Sequence, residues 1–215
     1  KTMKKIAFLG DSITAGAGAS ASENRYSSVL CKKLGVQELN YGIGGTRIAK
    51  QTIPSEQPNY DKDFIERAKI IDKDADFIFV FGGTNDYGHG DAEFGCVDDK
   101  SPYTFYGALN TLINYLLAFF PKEKICFILP LSRKNENDIY GESGKQKKPR
   151  PILNEYRKAI ERKCQEYSIE VLSFNDVFTE EKVCNGLTVD GLHPTNEGHN
   201  ILANLLLDYL KQKGF

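Results

Sequence analysis

Two short blocks at opposite ends of this chain hold the side chains that acyl transfer needs. Near the start, Phe8-Leu9-Gly10-Asp11-Ser12-Ile13-Thr14 sets a serine just beyond an apolar run. A serine hydroxyl is a weak nucleophile at neutral pH, so it needs an imidazole to take its proton and a carboxylate to orient that imidazole. Far downstream, Asp190-Gly191-Leu192-His193-Pro194 supplies both. Asp190 and His193, three apart, can lie on one side of a single turn. Pro194 biases His193 away from helical backbone, so the next helix is expected to begin after Thr195. Asp190 would then accept from one ring nitrogen and leave the other free as the base.

An oxyanion also needs donors, and two intervening blocks offer them. Asn40-Tyr41-Gly42-Ile43-Gly44-Gly45 and Gly82-Gly83-Thr84-Asn85-Asp86 each follow an expected strand. Asn85 brings a side-chain amide, and Gly45 or Gly44 a backbone N–H. Such donors favour a charge that develops only in the tetrahedral state. Gly10 permits a tight turn off the first strand, so the N–H of Ser12 can join them. Asp86 is expected to brace its loop, and Asp11, Tyr87 and His89 to border the substrate.

These four blocks, in this order, resemble the GDSL or SGNH hydrolases, a family of serine esterases, lipases and acetylesterases. The resemblance spans nearly the whole chain. It implies Ser12 as nucleophile, Gly45 and Asn85 as oxyanion donors, and Asp190 with His193 as the remaining catalytic pair. It also implies a small-molecule ester substrate, no cofactor and no metal. Ile13 stands where many members carry leucine, a change expected to affect packing only.

The elements that would position these blocks can be read independently of any motif. Short apolar runs predict strands over 5–9, 36–40, 77–81, 125–129 and 170–174, and amphipathic segments predict helices over 26–34, 64–71, 104–120, 152–167 and 196–211. Strands apolar on both faces and separated by helices imply a parallel sheet covered on both sides. The expected fold class is α/β, a flavodoxin-like three-layer α/β/α sandwich with a central, mostly parallel five-stranded sheet, formed as one domain over 1–215. Ligands in such sheets bind beyond the carboxyl ends of the strands, where Ser12, Gly45 and Asn85 fall.

Composition excludes other classes. The 28 basic and 29 acidic residues nearly cancel, giving no overall attraction to nucleic acid or an anionic membrane. No apolar run approaches the ~20 residues of a membrane helix. Met3, the sole methionine, directly precedes the first block and reads as a native start with no room for a leader. The five cysteines, Cys31, Cys96, Cys126, Cys164 and Cys184, are odd in number and scattered, which suggests reduced thiols in the cytoplasm. Oligomeric state is not readable.

The polar stretch 132–150 is expected to be a loop insertion, either a solvated connection or a flap beside the site, and its Lys145, Lys147, Lys148 and Arg150 suit an anionic substrate. Tyr87, Phe94, Tyr103 and Tyr106 are read as a wall for a sugar ring or short acyl group. Three rival readings stand beside the esterase. Gly16-Ala17-Gly18-Ala19-Ser20-Ala21, with Glu38 about 20 residues on, matches a relaxed dinucleotide fingerprint and would suit a nucleotide-binding oxidoreductase. A carbohydrate-binding module on a hydrolase fold would lack turnover. Within the family, a thioesterase or lysophospholipase would share the same constellation.

Overall fold

The computed structural model describes residues 2–215. Five strands form one sheet: β1 (Lys5–Gly10), β2 (Gln37–Gly42), β3 (Phe77–Phe81), β4 (Ile125–Ile128) and β5 (Glu170–Leu172). Their order is β2-β1-β3-β4-β5, and every pairing is parallel. This is the doubly wound order whose crevice opens between β1 and β3.

The helices are α1 (Ser12–Ala15), α2 (Tyr26–Leu34), α3 (Phe64–Ala68), α4 (Thr84–His89), α5 (Phe105–Phe119), α6 (Leu153–Glu166), α7 (Glu180–Lys182) and α8 (Asn196–Gln212). Strand alternation divides the core into two layers. Ile6 and Phe8 of β1, with Phe77, Phe79 and Phe81 of β3, face α2 and α8. Ala7 and Leu9, with Ile78 and Val80, face α3, α5 and α6. Both faces of the central strands are buried, which is why they read as unbroken apolar runs.

The expected elements are all present, with ends displaced by a few residues. Thr104 lies outside α5 as its cap, its hydroxyl accepting from the Gly107 N–H. Strand β5 stops at Leu172, and Asn175 just beyond it bonds back to Ser132 and Pro130. Helix α4, with its internal Gly88, is too short and too polar to show helical periodicity in the sequence.

Candidate active site

Ser12 opens α1 directly beyond β1, and Asp11 caps that turn, its Oδ1 accepting from the Ile13 N–H at 3.0 Å. Gly10 does not have the positive φ that a tight turn would need. A glycine is required there because a Cβ would lie 2.0 Å from the Thr14 hydroxyl, so close approach rather than a turn is the reason.

The two ends of the chain meet at this serine. Ser12 Oγ lies 2.9 Å from His193 Nε2, and His193 Nδ1 lies 2.6 Å from Asp190 Oδ2. The other carboxylate oxygen of Asp190 accepts the backbone N–H groups of Leu192 at 3.0 Å and His193 at 2.8 Å. Burial works against ionisation of Asp190, but the His193 backbone N–H, its ring and the Leu192 N–H outweigh it and hold the carboxyl below its ordinary value. An ionised Asp190 accepts only, so Nδ1 carries the proton and Nε2 presents a lone pair to the serine hydroxyl.

The base is held in place by a seam along the first loop. His199 at the start of α8 is fully buried: its Nδ1 accepts from the Tyr26 N–H at 3.1 Å and its Nε2 donates to the Ala17 carbonyl at 2.9 Å. Asn196 exchanges two hydrogen bonds with Ser20, and the backbone of Gly18 packs against the Pro194 carbonyl. His199 thus bonds at the start of α8.

The blocks that carry Gly45 and Asn85 meet each other, and the first of them lies beside Ser12. Asn85 Nδ2 donates one hydrogen to the Thr46 carbonyl at 3.0 Å, which leaves its second amide hydrogen available. Gly45 adopts a φ of +74°, and a Cβ there would sit 2.2 Å from the Tyr60 ring, so only glycine fits. A Cβ on Gly44 would stand 3.7 Å from that of Ser12, so this segment runs directly beside the serine. Asp86 does brace this region: its two carboxylate oxygens accept the N–H groups of Ile48 and Ala49 at 2.9 and 3.0 Å. Burial raises its carboxyl to about 7 against those bonds.

A residue the sequence did not single out ties the blocks together. Arg67 of α3 is buried and donates through Nη1 to the carbonyls of Gly10 and Tyr41, at the ends of β1 and β2. Its Nη2 donates to the Thr46 hydroxyl at 2.6 Å and its Nε to the Lys62 carbonyl at 2.8 Å. Nothing in the local sequence marks it, because its partners are distant backbone oxygens.

The residues expected to border the substrate differ in their surroundings. Asp11 is 2% exposed and serves as the cap of α1. Burial raises its carboxyl to about 6. Tyr87 is also largely buried, its hydroxyl donating to the Asn135 and Asp138 carbonyls and anchoring the loop over it, and it borders the cleft that holds His193. No aromatic wall forms: Tyr87, Phe94 and Tyr106 belong to one core with Phe105 and Tyr156, while Tyr103 stands apart and exposed. His89 does line a cavity, accepting from Arg47 Nη1 at 3.1 Å and stacking on Tyr60. Burial and the Arg47 charge lower its pKa to about 4, so it is neutral near pH 7.

The 132–150 loop is neither loose nor freely solvated. Arg133, 4% exposed, bonds Thr84 of α4 and Glu142, and Gln146 donates to the Asp86, Tyr87 and Gly90 carbonyls. Its Lys134 N–H donates to the Gly191 carbonyl, so the loop also braces the Asp190–His193 turn. Between loop and turn lies a polar cleft of about 290 Å³ bordered by Arg133, Ser143, Asp190 and His193.

The dinucleotide reading fails on geometry. Gly16-Ala17-Gly18 follows a helical turn, not a strand, and Glu38 is occupied by Arg25, Ser27 and Ser28. Among the described residues no group of three His, Cys, Asp or Glu side chains could hold a metal ion, and no helix is long and apolar enough to cross a membrane.

A five-stranded parallel sheet with a serine, histidine and aspartate hydrogen-bonded in series beyond its carboxyl edge defines the α/β class of ester hydrolases. The chain belongs to the GDSL-like lipase/acylhydrolase family, whose model matches residues 8–201. It is similar to the crystal structure of a protein from Lactobacillus plantarum, at 32% identity and a TM-score of 0.81 over 99% of this chain and 98% of that one. A protein from Chitinophaga pinensis described as a possible lipase shares 23% identity and a TM-score of 0.69, with 98% of each chain covered. The acetyl xylan esterase AlAXEase shares the fold, at 20% identity and a TM-score of 0.64 over 95% of this chain and 98% of that one. None of the curated proteins matches the chain.

Proposed function

We propose that the protein is a serine esterase that hydrolyses acetyl or other short-chain esters of small molecules through an acyl-enzyme. The single observation that carries this reading is the unbroken series Ser12 Oγ, His193 Nε2, His193 Nδ1, Asp190 Oδ2, at 2.9 and 2.6 Å. His193 takes the hydroxyl proton as Ser12 Oγ attacks the ester carbonyl. The negative oxygen is met by the N–H groups of Ser12 and Gly45 and by the free amide hydrogen of Asn85. Collapse of the tetrahedral species breaks the ester C–O bond, and His193 returns its proton to the departing alcohol. Water, deprotonated by the same ring, then attacks the acyl-serine and restores Ser12.

The short-chain preference is supported by the polar lining and small volume of the cleft at His193, about 290 Å³, which offers no apolar groove to a long acyl chain. The acetyl xylan esterase among the structural neighbours is consistent with acetyl esters. Five unpaired thiols, two of them exposed, favour the cytoplasm as its compartment.

The test is turnover of p-nitrophenyl esters from acetyl to palmitoyl, with acetylated saccharides alongside. Rates should fall with chain length, and Ser12→Ala should lose on the order of 10⁶-fold in kcat if the three side chains act as a unit. Turnover of Ser12→Ala within tenfold of the parent would remove Ser12 from the mechanism.

A further inference from the structure

Beyond the oxyanion block lies a second, larger cavity of about 820 Å³ that the hydrolytic mechanism does not use. Tyr60 is the partition: its ring packs on Gly45 on one side and stacks on His89, with centroids 5.5 Å apart, on the other. The cavity is therefore one aromatic layer from the segment that approaches Ser12.

Its lining is cationic. Arg47, Lys145, Lys147, Lys148 and Arg150 stand against three carboxylates, Glu56, Asp91 and Glu93. Among the described residues, four of the five cations are ion-paired, and Lys147 is the one that is not. Asp91 is committed to the backbone N–H groups of Thr52 and Ile53, and Glu93 is shared between Lys148 and Arg150. Arg47 pairs with Asp61, Lys145 pairs with Glu142, and Lys147 makes no ion pair among the described residues. The basic run of the 132–150 loop thus borders the cavity, with Arg150 buried in its wall and Lys145, Lys147 and Lys148 exposed at its mouth.

A second observation is independent of the charge count. Among the described residues, the buried side-chain polar atoms without a hydrogen-bond partner are Arg47 Nε and Arg150 Nε. Their side chains are 5% and 9% exposed, and both line this cavity. Buried donors are nearly always paired, so two arginines on one cavity wall that each keep an unpartnered Nε are unusual. Arginine offers a fork that matches carboxylate and phosphate oxygens.

We propose that this cavity is a subsite for an anionic substituent, a carboxylate or a phosphate, carried on the ester substrate away from the bond that is cleaved. The proposal rests on the reading of Ser12 as the site of ester hydrolysis. Arg47 and Arg150 form its inner wall, Lys147 and Lys148 its rim, and Tyr60 the face along which the substrate passes from the subsite to Ser12.

The experiment compares esters that differ only in remote charge. Benzyl acetate is the neutral reference. 4-(Acetoxymethyl)benzoate and 4-(acetoxymethyl)phenyl phosphate put a carboxylate or a phosphate on the alcohol side, and monobenzyl succinate puts the charge on the acyl side. At low salt at least one charged ester should exceed benzyl acetate in kcat/KM by about tenfold or more, the scale of one charge-assisted hydrogen bond. That preference should shrink with added salt. It should also shrink toward unity when Lys147→Ala is combined with Lys148→Ala, two exposed changes that do not disturb the core, whereas Arg150→Gln probes the inner wall.

Binding is read separately by calorimetric titration of Ser12→Ala with 4-(hydroxymethyl)benzoate and with benzyl alcohol, the carboxylate being expected to bind the tighter. Equal binding of the two, with no charged ester preferred, would overturn the subsite even if benzyl acetate is hydrolysed by Ser12. Tighter binding of the carboxylate in a protein that hydrolyses none of these esters would uphold the subsite and remove the esterase reading.

Discussion

Replacing Asp190 with asparagine tests the relay through a conflict that the structure makes explicit. The carboxylate accepts three hydrogen bonds, one from His193 Nδ1 on Oδ2 and two from backbone N–H groups on Oδ1. An amide has one acceptor oxygen, so Asp190→Asn can satisfy the backbone or the ring but not both. If the oxygen keeps the backbone, the NH₂ faces Nδ1, the ring proton moves to Nε2, and the serine proton has no acceptor. If the amide turns over, the ring keeps its tautomer but two backbone donors lose their partner, at about 1 kcal/mol each. The productive orientation is therefore disfavoured by ~2 kcal/mol, a factor of roughly 30. Losing the anion that steadies the imidazolium removes a further ~1.5–3 kcal/mol. Together these give a fall of about 400- to 5,000-fold in kcat with the fold intact. Release of p-nitrophenol from the acetate ester reads the rate, thermal melting by circular dichroism reads the fold, and the imidazole nitrogen shifts read the tautomer. A kcat within tenfold of the parent in a normally folded Asp190→Asn protein would refute the relay.

Three further outcomes follow from the same structure. Arg67→Met leaves the Gly10, Tyr41 and Thr46 oxygens without their donor and should cost about 3–5 kcal/mol in urea unfolding, whereas a loss under ~1 kcal/mol would mean that water replaces the clamp. Burial opposes ionisation of Glu142, but Lys145 and Arg133 overcome it and hold its carboxyl at about 2. Its folded pKa lies below the unfolded value, so its contribution is present above pH ~4.5 and is lost as pH falls toward ~2. It is a half-buried, solvent-screened group, so the contribution is on the order of 1–2 kcal/mol. Glu142→Gln should flatten that part of the stability profile, and an unchanged slope would count against the pairing. His199→Ala removes both buried hydrogen bonds of the seam and should destabilise by about 2–4 kcal/mol, with kcat falling at temperatures where the variant is still folded; an effect on stability alone would show that the seam does not position His193.

The parts of the site that were legible in the sequence share one property: their chemistry depends on residue type and on place along a strand or turn. Ser12, Gly45 and Asn85 follow apolar runs that a parallel sheet must bury, and Asp190 and His193 share one turn, so topology alone brings them to one edge. What was hidden depends on contacts between distant segments. Arg67 lies in a five-residue helix where a charge reads as solvated, yet it donates to four oxygens on other segments. Tyr87 stands two residues after Asn85 and reads as part of a substrate wall, but its hydroxyl is satisfied by carbonyls some 50 residues away, which allows the ring to be buried. The 132–150 loop looked loose because its order comes from buried Arg133 and Gln146, and polar side chains bonded to remote carbonyls leave no periodic trace.

The seam that joins Ala17 and Ser20 to Asn196 and His199 has a consequence for how the protein loses activity. Ser12 and His193 lie 181 residues apart, just beyond the first strand and just before the last helix, and α2 packs on α8. The bonds from Ala17 and Ser20 to His199 and Asn196 tie the two segments directly, so local fraying elsewhere leaves the alignment of Ser12 and His193 unchanged. Ester turnover should therefore persist through denaturant or heat until cooperative unfolding and then vanish with it, which makes the rate of hydrolysis a reporter of the globally folded population.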